Sequence, residues 1–165
     1  MSLNMSSQEF VLTSPDFASN GAIPTAFSGE GQDKSPRLRW SGAPDATKSF
    51  VLIVDDPDAP GRPTPYVHWV VYNIPATHTN LDYITDKSPQ FSPETMQGIS
   101  SFGQFGYNGP FPPVGHGAHR YRFILYAIDK SLPLKPGAKK ATVLRAIKGH
   151  VVGKAELMGT YERKK

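Results

Sequence analysis

Phe50-Val-Leu-Ile-Val-Asp-Asp-Pro-Asp-Ala-Pro60 decides the reading of this chain. Five consecutive apolar residues, Phe50 to Val54, are rich in β-branched side chains and read as a strand covered on both faces. The run stops at Asp55, Asp56 and Asp58, three carboxylates within four residues, set among two prolines. A residue before proline is pushed to extended backbone, so Asp56 is expected to be extended and Ala59 to sit in a turn. A cis bond at Ala59-Pro60 is the matching expectation. The segment therefore presents acidic groups rigidly at the end of a buried strand.

Working outward, Val67-His-Trp-Val-Val-Tyr72 and Tyr121-Arg-Phe-Ile-Leu-Tyr-Ala-Ile128 read as two more buried strands. Phe10 to Phe17 is a short strand ended by Pro15, and Leu38 and Trp40 share one face of an extended Ser35 to Ser41. From Pro75 to Gly117 no periodicity persists, which in a compact domain marks a functional loop or very short elements. Only the end looks helical: Val143, Leu144, Ile147, Val151 and Val152 recur at three-to-four spacing within Lys139 to Lys154, and Ala155 to Met158 extends that pattern. Gly149 and Gly153 divide it into short pieces. The expected class is mainly β, an antiparallel β-sandwich with short C-terminal helices.

Composition agrees. The 165 residues suit one domain, and 38% hydrophobic with 19% charged residues provides a core without staples. Fifteen glycines and sixteen prolines lie between short apolar runs, as in strands joined by turns. The domain is expected over 10–161, between a flexible N-terminal segment 1–9 and a basic tail 162–165. Met1-Ser-Leu-Asn-Met5 has the look of an expression scar. The net charge of +4 gathers near the C-terminus without an aromatic-interleaved stripe, so nucleic acid is not an expected partner. Without cysteine there is no thiolate chemistry. No signal-like start and no apolar run of membrane-spanning length occurs, so a cytoplasmic location without stable membrane insertion is expected.

Chemistry concentrates in a few residues. His68 interrupts an apolar strand, where an unpaired polar ring costs about 1–3 kcal/mol, and a carboxylate would relieve it. His119 and Tyr121 share a face by the two-residue period, beside the inward positions of Phe123 and Leu125. One histidine in an apolar strand is usually a satisfied core residue. Two of them with a tyrosine and a rigid acidic turn indicate a pocket. Gly115 to Gly117 leaves room and backbone N–H groups beside His119, an inventory that suits an anion.

At this point the chain resembles the phosphatidylethanolamine-binding protein family, also called Raf kinase inhibitor proteins. The resemblance rests on Asp56-Pro-Asp-Ala-Pro60, on His68 within Val67 to Pro75, and on Gly109-Pro-Phe-Pro-Pro-Val-Gly-His-Gly-Ala-His-Arg-Tyr121, in that order. It spans roughly 10–161. It implies a β-sandwich with a shallow pocket for phosphate-like or carboxylate anions, in which Asp56, His68, His119 and Tyr121 are polar members. Asp58 and Pro60 would shape one wall, Pro112 and Pro113 the opposite loop, with Tyr66, Gly109, Pro110 and His116 as further candidates. The 75–109 loop and the chain end resemble the bacterial and archaeal branch, whose members imply a homodimer, and animal kinase partners are not assumed to carry over.

The expected function is recognition of a phosphate-like anion, whether a phosphorylated small molecule, a lipid headgroup or a phosphorylated side chain, in a regulatory protein of kinase- or protease-inhibitor type with a possible protein partner. Histidines next to carboxylates would favour their charged form, so phosphate affinity is expected to rise as pH falls from 8 to 6. The alternative is a hydrolase using Asp56 and His119, or a metal site of Asp58, His68, His116 and His119. No catalytic motif supports it, and neither cofactor nor metal is expected.

Overall fold

The computed structural model describes residues 9–164; the segment expected to be flexible lies, apart from Glu9, outside them. Among the described residues the strands are β1 Val11–Thr13, β2 Leu38–Ser41, β3 Ser49–Asp56, β4 Tyr66–Pro75, β5 Asn80–Leu81, β6 Met96–Gln97, β7 His119–Ile128 and β8 Val151–Tyr161. One helix, α1, runs Lys140–Ile147, and a single 3-10 turn covers Thr25–Phe27. The strands form two antiparallel sheets, ordered β1-β2-β5 and β6-β4-β3-β7-β8. No helix among them is long and apolar enough to cross a membrane.

β3 lies at the centre of the five-stranded sheet, and all eight of its residues are buried. The cause is the continuous apolar run: with no polar face to turn outward, each face must be covered. Phe50, Leu52 and Val54 pack with Trp69, Phe123 and Leu125 against Leu12, Leu38 and Trp40 of the small sheet. Val51 and Ile53 face the other way and pack with Val70, Tyr72, Val143 and Ile147 beneath α1. Each such side chain contributes on the order of 1.5–3 kcal/mol by leaving water.

Two sequence expectations are corrected. First, only 140–147 of the C-terminal segment is helical. Gly149 takes φ +83°, a left-handed conformation that ends the helix, and β8 then pairs along the length of β7. Ala155, Leu157, Gly159 and Tyr161 are buried while Glu156 is exposed, so a two-residue period overrides the helical spacing. Gly159 is required there, because a Cβ would lie 2.6 Å from Ile23 and 2.7 Å from Phe17. Second, no cis peptide occurs among the described residues, so Ala59-Pro60 is trans. The turn is made instead by the Asp56 carboxylate accepting the Asp58 N–H at 2.7 Å and by Gly61 at φ +71°.

Candidate functional site

The end of β3 and the starts of β4 and β7 meet at one end of the large sheet. Successive strand residues point to opposite faces, so Asp55 and Asp56 diverge. Asp55 is fully buried on the α1 side and accepts two bonds from the Arg122 guanidinium, at 2.8 and 2.9 Å, and one from Lys140 Nζ at 2.8 Å. Asp56 turns to the opposite face, where its Oδ2 accepts the His119 Nδ1–H at 2.7 Å. Both partners are almost completely buried. Asp58 forms an ion pair with Arg120, a two-pronged contact at 2.8 and 3.0 Å nearer the surface.

That contact holds the Asp58 carboxyl at about 2, below its ordinary 3.8, chiefly through the Arg120 hydrogen bond. A depressed carboxyl stabilises the fold above its unfolded value, and the effect is lost as pH falls through the folded one. Asp58→Asn is therefore expected to show a small stability deficit at neutral pH, discounted because the pair is solvent-accessible, that closes between pH 4 and 2. Urea unfolding at each pH measures it. A deficit unchanged at pH 2 would contradict the assignment.

His68 reaches the same face by a different device. Val54 pairs with Trp69 but Asp55 pairs with Val67, which leaves His68 as the extra residue of a β-bulge. Plain alternation would place His68 opposite Trp69; the bulge turns its ring to within 5.2 Å of Tyr121, ring centre to ring centre. The ring and backbone of His68 then clamp Asn108: Nδ1–H donates to the Asn108 carbonyl at 2.6 Å, and the His68 carbonyl accepts the Asn108 N–H at 3.0 Å. Nδ1 is thereby engaged, and Nε2 is the ring nitrogen left for a ligand.

These groups border a cavity of about 380 Å³. Of the residues singled out from sequence, Asp56, Pro60, Tyr66, His68, Pro112, Pro113, His119 and Tyr121 line it. Asp58, Gly109, Pro110 and His116 do not. Gly109 and Pro110 fasten the loop behind the wall: the Gly109 N–H donates to Asp33 at 2.6 Å, and the Pro110 carbonyl accepts the Gly29 N–H at 2.8 Å. A Cβ on Gly109 would sit 2.2 Å from the Phe27 carbonyl, so only glycine permits that approach. His116 is exposed, with its Nδ1 3.4 Å from His119 Nε2. Nor does the four-residue metal set assemble: no group of three metal-ligating side chains occurs among the described residues.

Sequence reasoning missed Ala59, Arg62, Phe102 and Phe111, which also line the cavity. The Arg62 guanidinium lies 4.7 Å from the Tyr66 ring centre, and Phe102 packs edge-on against both Tyr66 and His68. Phe102 is carried in by long-range bonds of its neighbour, Ser101, to Val67, for which no local pattern exists. Phe111 is 52% exposed, and its place between two prolines in Pro110-Phe-Pro was the available signal.

Burial pushes the His68 imidazole below its ordinary 6.5 and outweighs the Asn108 carbonyl and the Asp56 charge, which act in the opposite direction. At His68 the pull of the carboxylates toward the charged form is thus outweighed, and burial favours the neutral ring. Burial, followed by Asp56 and Asp58, pushes the Tyr121 phenol upward, so it remains a hydroxyl.

A phosphatidylethanolamine-binding protein family model matches residues 13–162, a span that includes every strand from β2 to β8 and the whole cavity. The chain belongs to this family. It is 44% identical over 147 residues to a UPF0098 protein of Methanothermobacter thermautotrophicus, covering 89% of this chain and 95% of the relative. Among solved structures it resembles a phosphatidylethanolamine-binding protein homologue from Chlamydia trachomatis, at 38% identity and a TM-score of 0.84, covering 94% of this chain and 99% of that one. Escherichia coli YbcL gives 34% identity and a TM-score of 0.86, with 95% and 100% covered. The family fold, two antiparallel sheets with one short helix, is therefore that of this chain.

Proposed function

We propose that the cavity receives a small oxyanion, a phosphate or phosphomonoester group, and that the protein acts by binding it. The observation that carries this reading is the state of Asp56. Both of its oxygens already accept bonds within the protein, from His119 Nδ1–H and from the Asp58 N–H. Both acceptor oxygens are thus engaged within the protein, and the carboxylate opposes an incoming anion less than a free one would. Arg62 supplies permanent positive charge on the cavity wall. Neutral His68 offers Nε2 as an acceptor for the O–H of a monoprotonated phosphate, and becomes a donor once protonated.

Anion binding favours the charged imidazole, so binding takes up a proton, and affinity rises as pH falls. Because burial has lowered His68, the rise is expected at lower pH than an exposed imidazole would give. Sulfate is the cleaner probe, since its own charge is constant over this range. Calorimetric titration from pH 8 to 5 is expected to show that rise, and Arg62→Ala is expected to weaken binding about tenfold or more at every pH, the worth of a hydrogen bond to a charged group. Absence of sulfate binding by the wild type at pH 5, or binding indifferent to Arg62→Ala, would overturn the proposal. Mass spectrometry of small molecules that co-purify with the native protein then identifies the natural group.

A further inference from the structure

We propose that His116 and His119 form a two-histidine site for a borderline transition-metal ion such as zinc, with Asp56 as the group that orients it. The pair is left unexplained by the anion pocket, since His116 does not line the cavity. His116 Nδ1 and His119 Nε2 lie 3.4 Å apart. That is long for an N–H hydrogen bond, whose usual range is about 2.7–3.2 Å. It equals the bite of two imidazoles on one tetrahedral ion: two Zn–N bonds of about 2.0–2.1 Å at the tetrahedral angle separate the nitrogens by about 3.3–3.4 Å.

A second, independent feature points the same way. His119 donates Nδ1–H to the buried Asp56 carboxylate at 2.7 Å, which fixes the ring so that Nε2 is the nitrogen turned toward His116. This carboxylate–histidine arrangement is the one that orients metal-bound imidazoles and raises their basicity. The ion would take the place of the long contact between the two rings. Access is open: His116 is exposed, and Gly115 and Gly117 on either side have no atom within 4 Å of where a Cβ would stand. The loop is nevertheless set, because the His116 N–H donates to the Pro113 carbonyl at 3.2 Å. Two histidines leave further coordination positions for water or an oxyanion.

The test titrates tag-free, chelator-free protein with zinc alone by calorimetry, with no phosphate or sulfate present, so its outcome is separate from that of the anion reading. One equivalent is expected to bind. His116→Ala is expected to weaken it at least tenfold and Asp56→Asn by about 10–100-fold, whereas His150→Ala and His78→Ala leave it unchanged. In the wild type, zinc is expected to shift the imidazole NMR signals of His116 and His119 together, a readout that needs no variant to fold. Failure to bind one equivalent, binding undiminished in His116→Ala, or unmoved His116 and His119 signals would each overturn the site.

Discussion

His119→Ala is expected to lower stability by about 3–5 kcal/mol and to abolish sulfate binding. The magnitude is that of leaving a buried carboxylate without the partner that satisfied it. Asp56 stays behind, 5% exposed at its side chain, with the Asp58 N–H but without its imidazole donor. In a fold whose whole stability is on the order of 5–15 kcal/mol, this is a large fraction. Asp56→Asn retains the size of the side chain and an acceptor oxygen for His119, so its cost is expected to be smaller. Urea unfolding of the two variants measures the difference, and an equal, minor loss in both would show that the couple is not a stabilising unit. Arg62→Ala separates the two readouts, because its guanidinium lies on the cavity wall and carries none of the couple's hydrogen bonds.

The second large effect is on the opposite face of the same strand. Asp55→Ala is expected to cost about 3 kcal/mol, near the lower end of the range for a broken buried pair, because the abandoned cations can recover water. Arg122 and Lys140 are 30% and 21% exposed at their side chains, whereas Asp55 is fully buried. The melting temperature is then expected to drop by roughly 6–12 °C for a chain of this size. Lys140→Ala leaves the two-pronged Arg122 contact intact and is expected to do less. Asp55 joins β3 and β7 to the first turn of α1, so hydrogen exchange in the helix should quicken in Asp55→Ala before exchange in β3 does. A variant within 1 kcal/mol of wild type would mean that the three-residue network adds nothing.

Two carboxylates side by side in sequence thus serve two purposes, and only part of this was legible before folding. β3 and β7 could be read because their apolar runs are continuous and their mutual register is unbroken from Ser49–Ile128 to Asp55–Arg122. Period two along β7 then places His119 and Tyr121 on one face with Phe123 and Leu125, as read. His68 was recognised as anomalous, but its direction was not available, since alternation counted back from Trp69 and Val71 assigns it to the wrong face. The C-terminal segment misled for a related reason: Val143 and Ile147 have helical spacing, and Val151 and Val152 continue it by coincidence across Gly149. What decides 151–161 is the neighbouring β7, a non-local partner absent from any local window. Phe102 belongs to a loop whose placement depends on the same kind of distant pairing, through Ser101 and Val67.

The bulge at His68 has a consequence for how such a cavity is gained or lost. Deleting one residue between Tyr66 and Trp69 would restore simple alternation there while the ladder from Trp69 onward, against β3 and β6, keeps its pairing. The sandwich would persist, and no imidazole from β4 would face the cavity. A single codon thus separates a scaffold with a receptor from one without, and the same step taken in reverse furnishes a plain sheet with a polar side chain at its end without disturbing the packed layers behind it.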